Sequence, residues 1–281
     1  TDLISPGDGG PHQLFVDGAA GSIMPPIENG NFLINDIGFF PFATSQPQSA
    51  LVIGPGGGLD VWFGLSANTR RITAVEVNPA SVELVRTYTD YNGGLYDLPP
   101  VNVVVDEGRS VLLRDNEDYD LIFLSQVITE TSERSGLALS ENRVYTVDAF
   151  RDYFDHLTSR GMVALKLYDE LTLTRALSTV LAALRADDMN DAEALLHIMV
   201  FIDPSITPPV PLLMASKLPF SREDSFTLGA IAQERGFVPL FLPELRAEPP
   251  LDAVASGERS YDEIIAESEA NIAPPSDNRP Y

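Results

Sequence analysis

Residues Leu51 to Asn78 read LVIGPGGGLDVWFGLSANTRRITAVEVN. The apolar run Ala50 to Ile53 breaks into a loop holding Gly54, Gly56, Gly57 and Gly58. A second apolar run, Ile72 to Val75, ends in an acid, Glu76, which follows Gly58 by 18 residues. Glycines let a backbone turn sharply and approach a ligand closely, and an acid about 20 residues further on can accept from ribose hydroxyls. The stretch therefore has the pattern of a nucleotide-binding βαβ unit. No Gly-Lys-Ser/Thr follows the glycines, so the loop is not a triphosphate-binding P-loop.

The alternation continues outward. After the strand Ala50 to Ile53, the pattern predicts a helix over Leu59 to Ala67, a strand over Ile72 to Val75 and a helix over Pro79 to Tyr88. Pro79 suits a first helical turn, where a missing N–H costs nothing. A strand is expected at Val101 to Val105, a turn at Glu107-Gly108, a short helix from Arg109 and a strand at Asp120 to Leu124. The helix Thr146 to Leu157 carries Val147, Phe150, Phe154 and Leu157 on one face; Gly161 is expected to cap it, ahead of a strand at Met162 to Leu167.

Strands alternating with helices predict an α/β fold, a doubly wound, mostly parallel, Rossmann-like sheet. Ligands of such sheets sit beyond the carboxyl ends of the strands. Gly54 to Gly58, Glu76, Asp106-Glu107 and Ser125 all fall there. Asp106 and Glu107 are either simple turn residues or acceptors for an adenine amino group. Trp62 and Phe63 are expected in the core.

Before this domain (residues 49–246), residues 1–48 are expected to form a strand and helix segment. It comprises a flexible start at Thr1 to Gly10, a strand Gln13 to Val16 turning at Asp17-Gly18, and a helix Glu28 to Phe42 ended by Pro41. In the last third, Leu171 to Ala186 and Glu223 to Arg235 read as helices. His197 to Ile202, Leu212 to Ser216 and Phe237 to Phe241 read as strands extending the sheet, with Gly236 ending the second helix. Residues 247–281 are rich in proline and acid and read as an extended tail around one helix near Tyr261 to Glu269.

Composition narrows the function. Net charge is −23, which disfavours nucleic acid and anionic membrane surfaces as partners. The acidity reads either as a solvated surface or as attraction for a cationic substrate such as a polyamine. The chain has no cysteine, and its histidines, His12, His156 and His197, are far apart, so no metal is expected. His156 and His197 read as structural. No apolar run reaches the roughly 18 residues of a membrane span, and no signal peptide is visible. The start at Thr1, without methionine, suggests a processed or excised piece.

The segments VIGPGGGLDV (Val52–Val61), AVEVNP (Ala74–Pro79), VVVDEGRSVLL (Val103–Leu113), YDLIFLSQV (Tyr119–Val127), ENRVYTVDAFRDYF (Glu141–Phe154) and GMVALKL (Gly161–Leu167) together resemble the spermidine synthase-like family of S-adenosylmethionine-type transferases. The likeness covers Leu14 to Leu167. PFSREDSFTLGAIAQERGFVPLFLP (Pro219–Pro243) and PPSDNRPY (Pro274–Tyr281) are similar to the end of a bacterial subgroup fused to membrane segments.

The resemblance implies a transferase. Its co-substrate is S-adenosylmethionine or the decarboxylated form, held by Gly54, Gly56, Gly58, Glu76 and either Asp106 or Glu107, with the methionine-derived arm towards Ser125. It implies aminopropyl transfer to a polyamine, a cytoplasmic site or attachment to a membrane segment outside this chain, and a homodimer as a further arrangement. Ser125, Glu141 and Tyr145 are the catalytic candidates. Ser140-Glu141-Asn142 with Tyr145 matches the segment that closes over the acceptor in the family, although an acid and a hydroxyl also suit a plain helix start.

The departures are specific. The family's catalytic aspartate matches Ser125, its second acid Ile128, the acid of its glycine loop Gly57, and its early tyrosine Ile34, followed here by Asn35 and Asp36. A serine hydroxyl neither holds an ammonium as a carboxylate does nor acts readily as a base. Glu130, Glu133 and Glu141 are acids that could substitute. Methyl transfer to an unknown acceptor, a non-catalytic nucleoside-binding domain and a nicotinamide-dependent oxidoreductase are the competing expectations.

Overall fold

The computed structural model describes residues 1–5, 11–16, 20–27, 30–127, 142–186 and 189–279. The chain divides into two compact units, Thr1–Glu141 and Asn142–Tyr281.

The first unit opens with three antiparallel strands, β1 (Asp2–Ile4), β2 (His12–Val16) and β3 (Ala20–Met24), in that order. A flexible start was expected where β1 lies. Asp2, Leu3 and Ile4 pair with Phe15, Leu14 and Gln13, so a ladder to a distant partner orders a segment of unremarkable local composition. The return strand β3 carries no strong local signal either. The expected helix from Glu28, itself outside the described residues, is instead two 3-10 turns, Gly30–Asn35 and Ile37–Phe39, and then α1 (Phe40–Ser45). Pro41 lies in the first turn of α1 rather than ending a helix, because its missing N–H has no helical partner there.

A parallel sheet follows: β4 (Ser49–Ile53), β5 (Arg71–Glu76), β6 (Val101–Val105) and β7 (Tyr119–Ser125), in the order β7-β4-β5-β6. The connecting helices are α2 (Leu59–Ser66), α3 (Pro79–Thr87) with the short α4 (Thr89–Asn92), and α5 (Gly108–Arg114). All of β4 is buried, as a continuous apolar run in a parallel sheet requires. Phe42, Phe63 and Phe123 are fully buried against one another, with the Phe42 and Phe123 rings 5.1 Å apart edge to face. Each such side chain contributes about 1.5–3 kcal/mol by burial. Phe63 is core as expected, and Trp62 beside it is half-buried. Asn78 caps α3 by accepting the Ala80 N–H, with Pro79 at the start of the helix; such a cap is worth about 1 kcal/mol.

The second unit contains α6 (Val147–Asp155), β8 (Leu157–Lys166), α7 (Glu170–Arg185), α8 (Asp191–Leu195), β9 (Ile198–Asp203), β10 (Val210–Ser216), α9 (Arg222–Glu234), β11 (Val238–Leu242), β12 (Arg246–Ala247), α10 (Leu251–Ala255) and α11 (Tyr261–Glu267). Its strands pair antiparallel in the order β12-β11-β9-β10-β8. Gly161 does not cap α6. It lies inside β8, which starts directly after His156, the residue at the cap position. The tail is packed rather than extended. It carries two helices, Tyr261 is buried, and Asp277 accepts the Thr146 hydroxyl at 2.7 Å. Among the described residues no helix is long and apolar enough to cross a membrane.

Candidate functional site

The carboxyl ends of β4 and β5 meet at one carboxylate. Glu76, the last residue of β5, is 6% exposed. Its Oε2 accepts the Gly56 N–H at 3.0 Å and its Oε1 accepts the Asn78 N–H at 2.9 Å. The acid and the loop that the sequence placed at neighbouring strand ends are therefore bonded to each other.

Every glycine N–H of the loop has a partner within the chain. Gly54 donates to Val75 O, Gly56 to Glu76, Gly57 to Ser22 Oγ at 2.7 Å, and Gly58 to Pro55 O. Gly58 also stands at the N-cap of α2. Phosphate-binding loops work by turning such N–H groups towards the anion. This loop turns them inward and has no donor of that kind to offer.

Glycine is required at Gly57 by close approach. A Cβ there would come 2.5 Å from the Ile23 carbonyl oxygen and 2.6 Å from its carbon, which belong to the backbone of β3. The hairpin thus lies directly against the loop. On another side, Tyr96 donates its hydroxyl to Gly56 O at 2.8 Å. Burial first, then the Glu76 and Asp60 carboxylates, push the Tyr96 hydroxyl well above the usual phenol range, so it stays protonated and donates. Asp60, in the first turn of α2, is itself buried.

At the end of β6 the two acids serve nearby groups. Glu107 caps α5, accepting the Arg109 and Ser110 N–H groups at 2.9 and 2.8 Å and the Ser110 hydroxyl at 2.7 Å. Asp106 accepts the Glu107 N–H and pairs with Arg114. The backbone bond first, and then Arg114, hold its carboxyl below the usual carboxylate range. Two valines, Val77 after β5 and Val105 at the end of β6, are 45% and 49% exposed. Their exposure has no signal in an apolar strand-like sequence.

Ser125 ends β7 and is half-buried. Gln126 follows with φ 49, a left-handed conformation uncommon away from glycine, and Val127 packs beside Gly54. Ile34 is 38% exposed, and Asp36 caps the second 3-10 turn through Gly38. In the second unit Tyr145 ends a 3-10 turn (Asn142–Tyr145) and is 6% exposed. Glu130, Glu133, Ser140 and Glu141 lie outside the described residues. His197 is buried and bonded through Nδ1 to Ser216 O, a structural role.

Sequence reading missed Ser22 and Tyr96, which touch the loop from 35 and 40 residues away. No local pattern marks either.

No family model matches the chain. It is 30% identical over 118 residues to polyamine aminopropyltransferase 2 of Pseudomonas aeruginosa, a match covering 41% of this chain. The matched region spans about a third of that relative's length (33%). Among solved structures, a spermidine synthase in complex with the transition state analogue AdoDATO superposes with a TM-score of 0.52 at 16% identity, covering 76% of this chain and 67% of that one. A probable spermidine synthase from Corynebacterium glutamicum gives 0.55 at 17% identity, covering 89% and 84%. At these identities the structural likeness speaks for the fold. The chain is therefore similar over part of its length to a polyamine aminopropyltransferase, and it shares the Rossmann-like fold of solved spermidine synthases.

Proposed function

We propose that the first unit binds an S-adenosylmethionine-type nucleoside and that the chain is a transferase using it as donor. The observation that carries this is the loop itself: its glycine N–H groups are all committed internally, and Glu76 stands across from it. A site of that kind suits a nucleoside without phosphate. Glu76 would accept from the ribose hydroxyls, and Val77 and Val105 would offer apolar surface to the purine. Asp106 or Glu107 would present a carboxylate oxygen near an exocyclic amine. The relative's name and the AdoDATO complex support a donor of this class.

Aminopropyl transfer to a polyamine is the reaction we propose first. The acceptor nitrogen attacks the carbon next to the sulfonium, that carbon–sulfur bond breaks with its electron pair going to sulfur, and the nitrogen then releases a proton. Methyl transfer is the second reading. It is favoured by Ser125, which puts a hydroxyl where the family carries its aspartate. Methyl transfer depends mainly on positioning the two reactants, so that loss hurts it less.

The test is turnover. The protein is incubated with S-adenosylmethionine or the decarboxylated form and a panel of polyamines, and the thioether products are quantified. Thioether from the decarboxylated donor with an aminopropylated amine supports the first reading, whereas thioether from S-adenosylmethionine alone supports the second. No product from either donor would contradict both transfer readings.

A further inference from the structure

The Gly56 carbonyl and the Gly57 N–H belong to one peptide group, and the structure fixes both ends of it. Tyr96 Oη donates to the carbonyl at 2.8 Å. Ser22 Oγ accepts from the N–H at 2.7 Å. The two partners come from opposite directions in the chain, one from the N-terminal hairpin and one from the short turn after α4. Each is anchored in its own right.

Ser22 sits on β3 opposite Leu14, which is 1% exposed. Next to it, Met24 Sδ contacts Asn92 Nδ2 at 3.6 Å, and Asn92 Oδ1 accepts the Gly94 N–H at 2.9 Å, just ahead of Tyr96. Tyr96 itself is 2% exposed.

A peptide between two glycines has low intrinsic barriers to rotation of its plane, because neither flanking residue has a Cβ to clash. Gly56 has φ 51, a conformation open to a glycine along with several others. Left alone, this peptide would sample more than one orientation, and the loop surface would vary with it. We infer that Ser22 and Tyr96 are a coupled pair of positioning residues that lock the Gly56–Gly57 peptide plane and so hold the glycine loop in its nucleoside-accepting shape. Neither needs to touch the nucleoside. The inference rests on the nucleoside reading above and extends it to residues outside the loop and the strand ends.

Coupling gives the proposal its signature. Releasing either end frees the plane, so a second release has little left to free. The experiment measures S-adenosylmethionine affinity by calorimetry for the wild type, Ser22→Ala, Tyr96→Phe and the double variant. Phenylalanine keeps the buried ring, so Tyr96→Phe removes the hydroxyl alone. Gly57 amide exchange is followed by NMR in the same four proteins. Each single variant is expected to bind about fivefold more weakly, with faster Gly57 exchange in both. The double variant is expected to lose no more than about tenfold. Singles that bind like the wild type, or a double that multiplies the two losses to about 25-fold, would overturn the lock. A wild type that binds no donor nucleoside, with Gly57 exchange still responding to both variants, would overturn the functional reading and leave only a structural clamp.

Discussion

Glu76 holds Gly56 across 20 residues of chain, with its Oε2 accepting the glycine N–H at 3.0 Å. The other oxygen holds Asn78, so one carboxylate ties the end of β4 to the start of the turn after β5. An acid at this place therefore has two tasks. It fixes the loop, and it places a carboxylate beside it.

Replacing that acid separates the tasks from a mere surface charge. Glu76→Gln keeps one acceptor but turns an amide NH2 towards a backbone N–H that then lacks a partner. An unsatisfied buried donor costs about 1–3 kcal/mol. The variant is expected to unfold at lower urea than the wild type and to bind S-adenosylmethionine at least about tenfold more weakly. Unchanged values for both would remove Glu76 from the site.

Gly57→Ala tests the contact between the hairpin and the loop. The new methyl would meet the Ile23 carbonyl at 2.5 Å, and backbone yields less readily than a flexible side chain. Overpacking of this kind typically costs about 1–3 kcal/mol. Chemical denaturation should show the loss, and limited proteolysis should cut the N-terminal segment faster. A variant as stable as the wild type would show that the hairpin rests there without close packing.

The hairpin also has a pH dependence built into its other anchor. His12 stacks on Tyr91 at 3.7 Å, meets Tyr88 edge to face, and has a buried Nδ1 with no hydrogen-bond partner. Burial lowers its pKa from the ordinary 6.5. The unfolded chain therefore takes up the proton at higher pH than the folded one. The His12 contribution to stability is full above the ordinary value and is lost as pH falls through the lowered one. Thermal melts at about pH 7.5 and about pH 5 should show a smaller difference in His12→Phe than in the wild type. Equal differences would place the acid sensitivity elsewhere.

The βαβ core could be read from the sequence because its signals are local. A continuous apolar run gives β4, a run of glycines breaks it, and proline at the first turn marks α3. What could not be read depends on partners far along the chain. β1 exists because β2 pairs with it, and Ser22 and Tyr96 matter because they meet the loop. Pro41 and Gly161 show the same limit from another side. Proline both starts and stops helices, and glycine both caps helices and sits in strands, so neighbours decide. Glu107 reads in the sequence as either a turn residue or a ligand acceptor, and its carboxylate accepts from the first N–H groups of its own helix.

Ser125→Asp probes the half of the site where the family pattern breaks. A carboxylate there would still hold the ammonium that both donors carry, but it would repel the α-carboxylate that only S-adenosylmethionine has. The variant is expected to shift preference towards the decarboxylated donor by about tenfold relative to S-adenosylmethionine. An unchanged ratio of the two affinities would mean that Ser125 does not face the donor's arm.

The most direct measurement is calorimetric titration of the unmodified protein with S-adenosylmethionine, its decarboxylated form, ATP and NAD. Saturable binding of at least one of the sulfonium nucleosides, with no heat from ATP or NAD, is the expected result, because the loop offers phosphate no glycine N–H groups. Binding of a phosphorylated nucleotide in preference to both sulfonium donors would contradict it.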